Sequence, residues 1–158
     1  MLSLRADART LRTAIRGLQT RAGPRAVEAL LRASVGDLAQ GASEGVRGAT
    51  GLERRVDTGR LVAAYNRIAQ MADGRSIGPT TGSGEKNNPS RPGDAVFTLY
   101  GRGLSANVAL QNGVPYAGYI ENGTAKVPAG YHLARATLAV TRSMPARVEK
   151  ALRAAWVA

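Results

Sequence analysis

Apolar residues recur every three or four positions along the first part of the chain. Leu4, Ala8, Leu11, Ile15 and Leu18 trace one face of an amphipathic helix. Arg5, Arg9, Arg12 and Arg16 keep the same spacing one residue further on. They form a second stripe about 100° around that helix. The arginine stripe is either a solvated face beside a buried one or a strip that meets phosphates or an acidic partner. Gly17 to Gly23 interrupts the pattern, and Pro24 stands where helices tend to begin. Val27, Leu30, Leu31, Val35 and Leu38 then predict a long second helix, extended more weakly by Ala42, Val46 and Ala49. Gly36, Gly41, Gly45, Gly48 and Gly51 punctuate it. Each glycine costs about 1 kcal/mol against alanine in a helix interior, but it also lets a neighbouring helix come close.

Asp57 is placed to cap the next helix, in which Leu61, Ala64, Tyr65 and Ile68 keep helical spacing. From Met71 the character changes. The string "DGRSIGPTTGSGEKNNPSRPGD" is rich in Gly, Ser, Pro and Asn, so residues 72–94 are expected to form a long mobile loop. "AVFTLYG" is rich in strand formers, and "LSANVALQ" alternates Leu104, Ala106, Val108 and Leu110 with polar or small residues. Gly101-Arg102-Gly103 between them suggests a hairpin, and Asn112-Gly113 makes the next turn. One last stripe runs through Leu133, Ala136, Thr137, Val140, Met144, Val148, Ala151, Leu152, Ala155 and Trp156. Pro145 lies inside it and is expected to kink or split that helix. The order predicts an α+β fold: long N-terminal helices, a small antiparallel sheet, and a C-terminal helix packed on the sheet. Residues 1–158 are read as one domain. Its parts are a helical region (1–55), the loop (72–94), a sheet region (95–124) and a C-terminal helix (129–157).

Composition changes this picture in two ways. With aromatics at 4%, the core must be built from Ala, Leu and Val. The net charge is +11, and it sits at the ends: residues 1–55 and 125–158 are strongly basic, whereas 56–124 is nearly neutral. A basic surface suits nucleic acid or acidic subunit faces. Equally, 19 of the 22 basic residues are Arg in a chain rich in Ala and Gly, which genomic base composition alone can produce. Cysteine is absent, which removes disulfides and thiolate chemistry. No apolar run is long enough to span a membrane, and the first residues do not read as a secretory signal.

The short motifs offer little chemistry. Asp57-Thr58-Gly59 matches the aspartic-protease triplet, but Glu53-Arg54-Arg55 precede it where a buried apolar strand would be needed. Gly101-Arg102-Gly103-Leu104-Ser105-Ala106 fits a dinucleotide fingerprint, yet a strand follows it rather than a helix. "GSGEK" is a poor phosphate loop, because Glu85 separates Gly84 from Lys86. His132 is the sole histidine, so a metal site or a triad would rest on it alone. Asn122-Gly123-Thr124 is formally a glycosylation sequon, but it reads better as a tight turn. No catalytic residue, cofactor or metal ligand is therefore expected. A binding or assembly role is favoured.

Two segments carry a resemblance. "VDTGRL" contributes Val56, Asp57, Thr58, Gly59 and Leu61, and "YAGYIENGT" contributes Tyr116, Ala117, Ile120, Glu121, Gly123 and Thr124. In this order, between a long N-terminal helix and a basic C-terminal one, they resemble the small neck and tail-completion proteins of long-tailed bacteriophages. That family includes relatives of the minor tail protein Z of lambda. Tyr131 stands where the family has an aromatic opening the last helix, although "AGYHLARATL" lacks the prolines common there. The resemblance implies a structural virion protein, made in the host cytoplasm and placed at the head–tail junction. It implies a ring of copies of itself, expected to be six-fold, around the DNA channel. Neighbouring neck and tail-tube proteins would be its partners, with DNA in the channel a further one and no membrane involved. The alternative is a non-catalytic DNA-binding protein that uses Arg5, Arg9, Arg12 and Arg16. For Glu121 two roles stand open: a buried partner of an Arg, or an exposed cap on a local turn.

Overall fold

The computed structural model describes residue 16 and residues 23–48, 59–77, 90–101 and 106–157, with side chains through 154. The Leu4–Leu18 stripe, Arg5, Arg9, Arg12, Val56, Asp57 and Thr58 lie outside the described residues. Arg16 is helical and exposed.

Helix α1 (Gly23–Val46) is the central element. Its buried face carries Val35, Ala39, Ala42 and Val46. Helix α2 (Arg60–Asp73) packs along the second half of α1 and buries Leu61, Val62, Ala64, Tyr65, Ile68, Ala69 and Ala72. The strands β1 (Ala95–Tyr100) and β2 (Asn107–Asn112) form the expected hairpin, antiparallel with Phe97 opposite Leu110 and Leu99 opposite Val108. Those four face the helices, while Val96, Thr98, Tyr100, Ala109 and Gln111 face outward. The short helix α3 (Ala117–Asn122) leads into the long helix α4 (His132–Val157). The α+β class holds, and the core is built of small side chains: many alanines and valines, with Ile68 the largest fully buried one.

Four expectations need correction. Helix α4 takes α1 as its main partner rather than the sheet, which meets α2 and α1 instead. The reason is steric: a Cβ at Gly41 would stand 3.2 Å from the Ala136 Cβ, and one at Gly45 would stand 2.9 Å from His132 Nδ1. The glycines of α1 thus make a groove into which α4 settles. Second, α4 is one helix through Pro145. Pro145 and Thr141, whose carbonyl loses its helical donor, are both exposed, so water can take the orphaned group. Third, α4 starts at His132 rather than 129, and "AGYIEN", within the region read as sheet, is helical.

Fourth, the loop is shorter than 72–94 and tied at both ends. Residues 72 and 73 complete α2, and the Gly74 N–H caps it on Gln70 O. The Ile77 N–H donates to Asn66 Oδ1 at 2.8 Å, and its side chain packs on the core. At the far end, Arg60 holds Asp94 through two bonds of 2.7 and 2.5 Å, and Asp94 is only 2% exposed. Residues 78–89 lie outside the description.

Candidate functional site

The second sequence segment builds a joint between α3 and α4. Tyr116, Ala117 and Ile120 lean on the core, which fixes α3 despite its six residues. Gly123 ends it with φ 77° and ψ −177°. That backbone region is essentially closed to residues with a Cβ. A Cβ there would also meet Ala129 N at 2.6 Å and Val127 O at 2.7 Å. Thr124 then closes a small loop: its backbone exchanges bonds with Val127, and its Oγ1 accepts from the N–H groups of Lys126 and Val127. The chain returns so that Gly130 N–H donates to Ile120 O and Tyr131 N–H to Glu121 O, both at 3.0 Å. Two carbonyls at the end of α3 are thereby satisfied.

Glu121 completes the joint. Its Oε2 accepts from Leu133 N–H and its Oε1 from Ala134 N–H, each at 2.9 Å. A carboxylate thus sits on the first free amides of α4, where the helix dipole favours negative charge. Of the two roles open for Glu121, capping is the one observed, and it caps the next helix rather than a local turn. Tyr131, directly before α4, has φ 51°, a left-handed backbone rare for an aromatic residue. Glu121 also lies near Tyr65, whose phenol is pushed up chiefly by burial, then by the Glu121 charge, with an Asn112 hydrogen bond acting in the opposite sense.

Of the first segment, Gly59 and Leu61 are described. Gly59 is the buried residue before α2, in left-handed conformation, and its carbonyl accepts from Ala63 N–H at 2.9 Å. Leu61 is in the core. Asn112, four residues before Tyr116, donates to Leu61 O at 3.4 Å and accepts from Val114 N–H. Arg60 follows Gly59 and binds Asp94. The Arg60 hydrogen bonds hold the Asp94 carboxyl below its ordinary range, outweighing burial, and the Arg91 N–H adds to this.

Sequence reasoning missed a second charged junction. Asp37 on α1 accepts from Arg75, just past α2, and from Arg147 on α4. Arg75 also reaches Asp73 at 2.7 Å. Burial pushes the Asp37 carboxyl up, but the two guanidiniums outweigh it and the net shift is downward. No linear signal marks this pairing, because the partners lie far apart in sequence. His132 is 2% exposed, at the start of α4 against Gly45 and Gly130. Among the described residues no group of three or more His, Cys, Asp or Glu side chains is placed to hold a metal ion. None of their helices is long and apolar enough to cross a membrane.

Of the family-motif residues, the described ones (Gly59, Leu61, Tyr116, Ala117, Ile120, Glu121, Gly123 and Thr124) act on the backbone or the core. The candidate contact residues Arg5, Arg9 and Arg12 are not placed. No protein-family model, curated protein or solved structure matches the chain.

Proposed function

We propose that this chain is a structural protein of a bacteriophage neck, completing the tail and joining it to the head connector as a ring around the DNA channel. The observation that carries the reading is the joint made by "YAGYIENGT". In the second of the two segments, the residues that resemble the phage family are those that set the α3–α4 geometry, as a shared fold would require. The reading assigns no reaction, cofactor or metal. Its partners are further copies of the chain in head-to-tail contact, expected six-fold, and the neighbouring neck and tail-tube proteins. The virion head–tail junction is its place.

Cryo-electron microscopy of the neck of particles carrying this chain tests the proposal. A ring of this chain at the junction supports it; an ordered neck without the chain overturns it. A second reading, DNA binding, is favoured by basic side chains on exposed positions of α4, notably Arg135, Arg142, Lys150 and Arg153, together with Arg16. It requires affinity for duplex DNA that falls steeply with salt. Charge reversal at Arg5, Arg9, Arg12 and Arg16 would remove that affinity if the N-terminal stripe is the contact.

A further inference from the structure

Helix α4 has a second apolar stripe, opposite its buried one. His132, Ala136 and Val140 face α1 and the core. Leu138, Thr141, Pro145, Val148 and Leu152 follow one another at alternating steps of three and four. At about 100° per residue they share roughly 80° of arc on the far side of the helix. Leu138 is 50% exposed, Val148 38% and Leu152 42%. Such spacing is the seam by which one helix receives another. At its N-terminal end the stripe opens into a shallow groove lined by Glu121, Leu133, Ala134, Thr137, Leu138 and Thr141.

The flank of the stripe identifies the occupant. Arg135, Arg142 and Arg153 run along one side of it, with Lys150 beyond them. The acid on that side, Glu149, is engaged by Arg153 at 2.6 Å. A second copy laid antiparallel on the same stripe would set arginine against arginine, and one laid parallel would leave both arginine rows without an acid to meet. The chain's own Leu4–Leu18 stripe is flanked by Arg5, Arg9, Arg12 and Arg16 and has a single acid, Asp7, to offer a row of arginines. Duplex DNA would satisfy the arginines but leave Leu138, Val148 and Leu152 against phosphate and water. We infer that the outer face of α4 is a docking surface for an amphipathic helix of another protein, with apolar residues in three–four spacing and acidic residues along one margin. The surface stands on its own geometry and is independent of the phage reading.

The test uses the full-length chain and two fluorescein-labelled helical peptides, each about 25 residues long so that they hold helix. Both carry leucine in three–four spacing; one has glutamate along the flank, the other lysine. Fluorescence anisotropy is expected to show binding of the glutamate peptide and at least tenfold weaker binding of the lysine peptide. Leu138→Ser with Leu152→Ser should weaken the glutamate peptide by about tenfold or more. Arg135→Glu with Arg142→Glu should reverse the preference between the peptides. Circular dichroism melts of both double variants check that the exposed substitutions leave the fold intact. Equal binding of both peptides, or of neither, overturns the inference. So does a wild-type oligomer that Leu138→Ser with Leu152→Ser dissociates, since a second copy would then occupy the face. Displacement of the glutamate peptide by a duplex whose own binding ignores the leucine substitutions overturns it in favour of DNA.

Discussion

Replacing Glu121 tests whether the joint holds α4 in place. Two charge-assisted bonds of 2.9 Å run from the α4 amides to this carboxylate. Loss of a helix cap costs about 0.5–2 kcal/mol, and loss of a negative charge at a helix N-terminus about 0.3–1 kcal/mol. The side chain is half-buried, so water replaces part of what is lost in Glu121→Ala. A net cost of about 2 kcal/mol follows, or roughly 4–8 °C in Tm for a chain of this size. Glu121→Gln keeps one acceptor oxygen and loses the charge and the second bond, so about half that cost is expected. Urea unfolding of the three proteins gives the stabilities. Hydrogen exchange gives the location: the Leu133 and Ala134 amides should lose protection in the alanine variant before amides in the middle of α1 do. An alanine variant within 0.5 kcal/mol of the parent, with those two amides equally protected, would refute the capping role.

Other perturbations probe the joint, the helix groove and the charged junctions. Gly123→Ala combines a forbidden backbone region with contacts of 2.6 and 2.7 Å. It should cost about 3 kcal/mol or more, read as a lowered urea midpoint or as failure to fold. Gly45→Ala, with 2.9 Å to His132 Nδ1, should destabilise by about 1–3 kcal/mol. Gly41→Ala meets only Ala136 at 3.2 Å and should cost less; the reverse order in thermal melts would contradict the α1–α4 packing. Asp37 and Asp94 both have carboxyls held below the ordinary 3.8 in the folded state. The native state then binds fewer protons than the unfolded chain, so their contribution is present above pH 3.8 and is lost as pH falls through the folded values. Asp37→Asn should therefore be less stable than the parent at neutral pH. The gap should narrow in urea midpoints taken below pH 3.8, and a gap independent of pH would rule the carboxylate out as its source.

The α1 helix was legible because its period repeats over many turns, and the hairpin because a period of two repeats three times within six residues. Alternation in β2 places Val108 and Leu110 on the inner face, and the small residues of α1 imply the close approach that Gly41 and Gly45 make. Helix α3 was not legible. Six residues cannot display a helical period, and they hold this shape because Tyr116, Ala117 and Ile120 are fixed from outside the segment. The Glu121 cap acts on amides 12 and 13 residues away, after a loop that only the Thr124 and Gly123 geometry closes. Pro145 misled for a related reason. The rule against proline concerns the lost bond, and here the orphaned carbonyl lies on the solvent side. Contacts to α1 hold the helix on both sides of it, Ala136 at Gly41 before and Arg147 at Asp37 after.

The excess of arginine takes on a structural meaning once the acids are located. Each described carboxylate has a partner inside the chain. Glu28 takes Arg32, Asp37 takes Arg75 and Arg147, and Glu44 takes the Gln40 amide. Asp73 takes Arg75, Asp94 takes Arg60, Glu121 takes the α4 amides, and Glu149 takes Arg153. Asp37, Asp94 and Glu121 thus hold elements together, the other acids are taken up by neighbours about a turn or less away, and the basic surplus is what an approaching molecule meets. Any partner drawn by that surplus must supply negative charge, whether carboxylate or phosphate. What separates the two is the apolar stripe between the cations. Phosphate backbones gain nothing from Leu138, Val148 and Leu152, whereas an acidic amphipathic helix buries them. For the outer face of α4, the geometry therefore favours a protein partner over DNA.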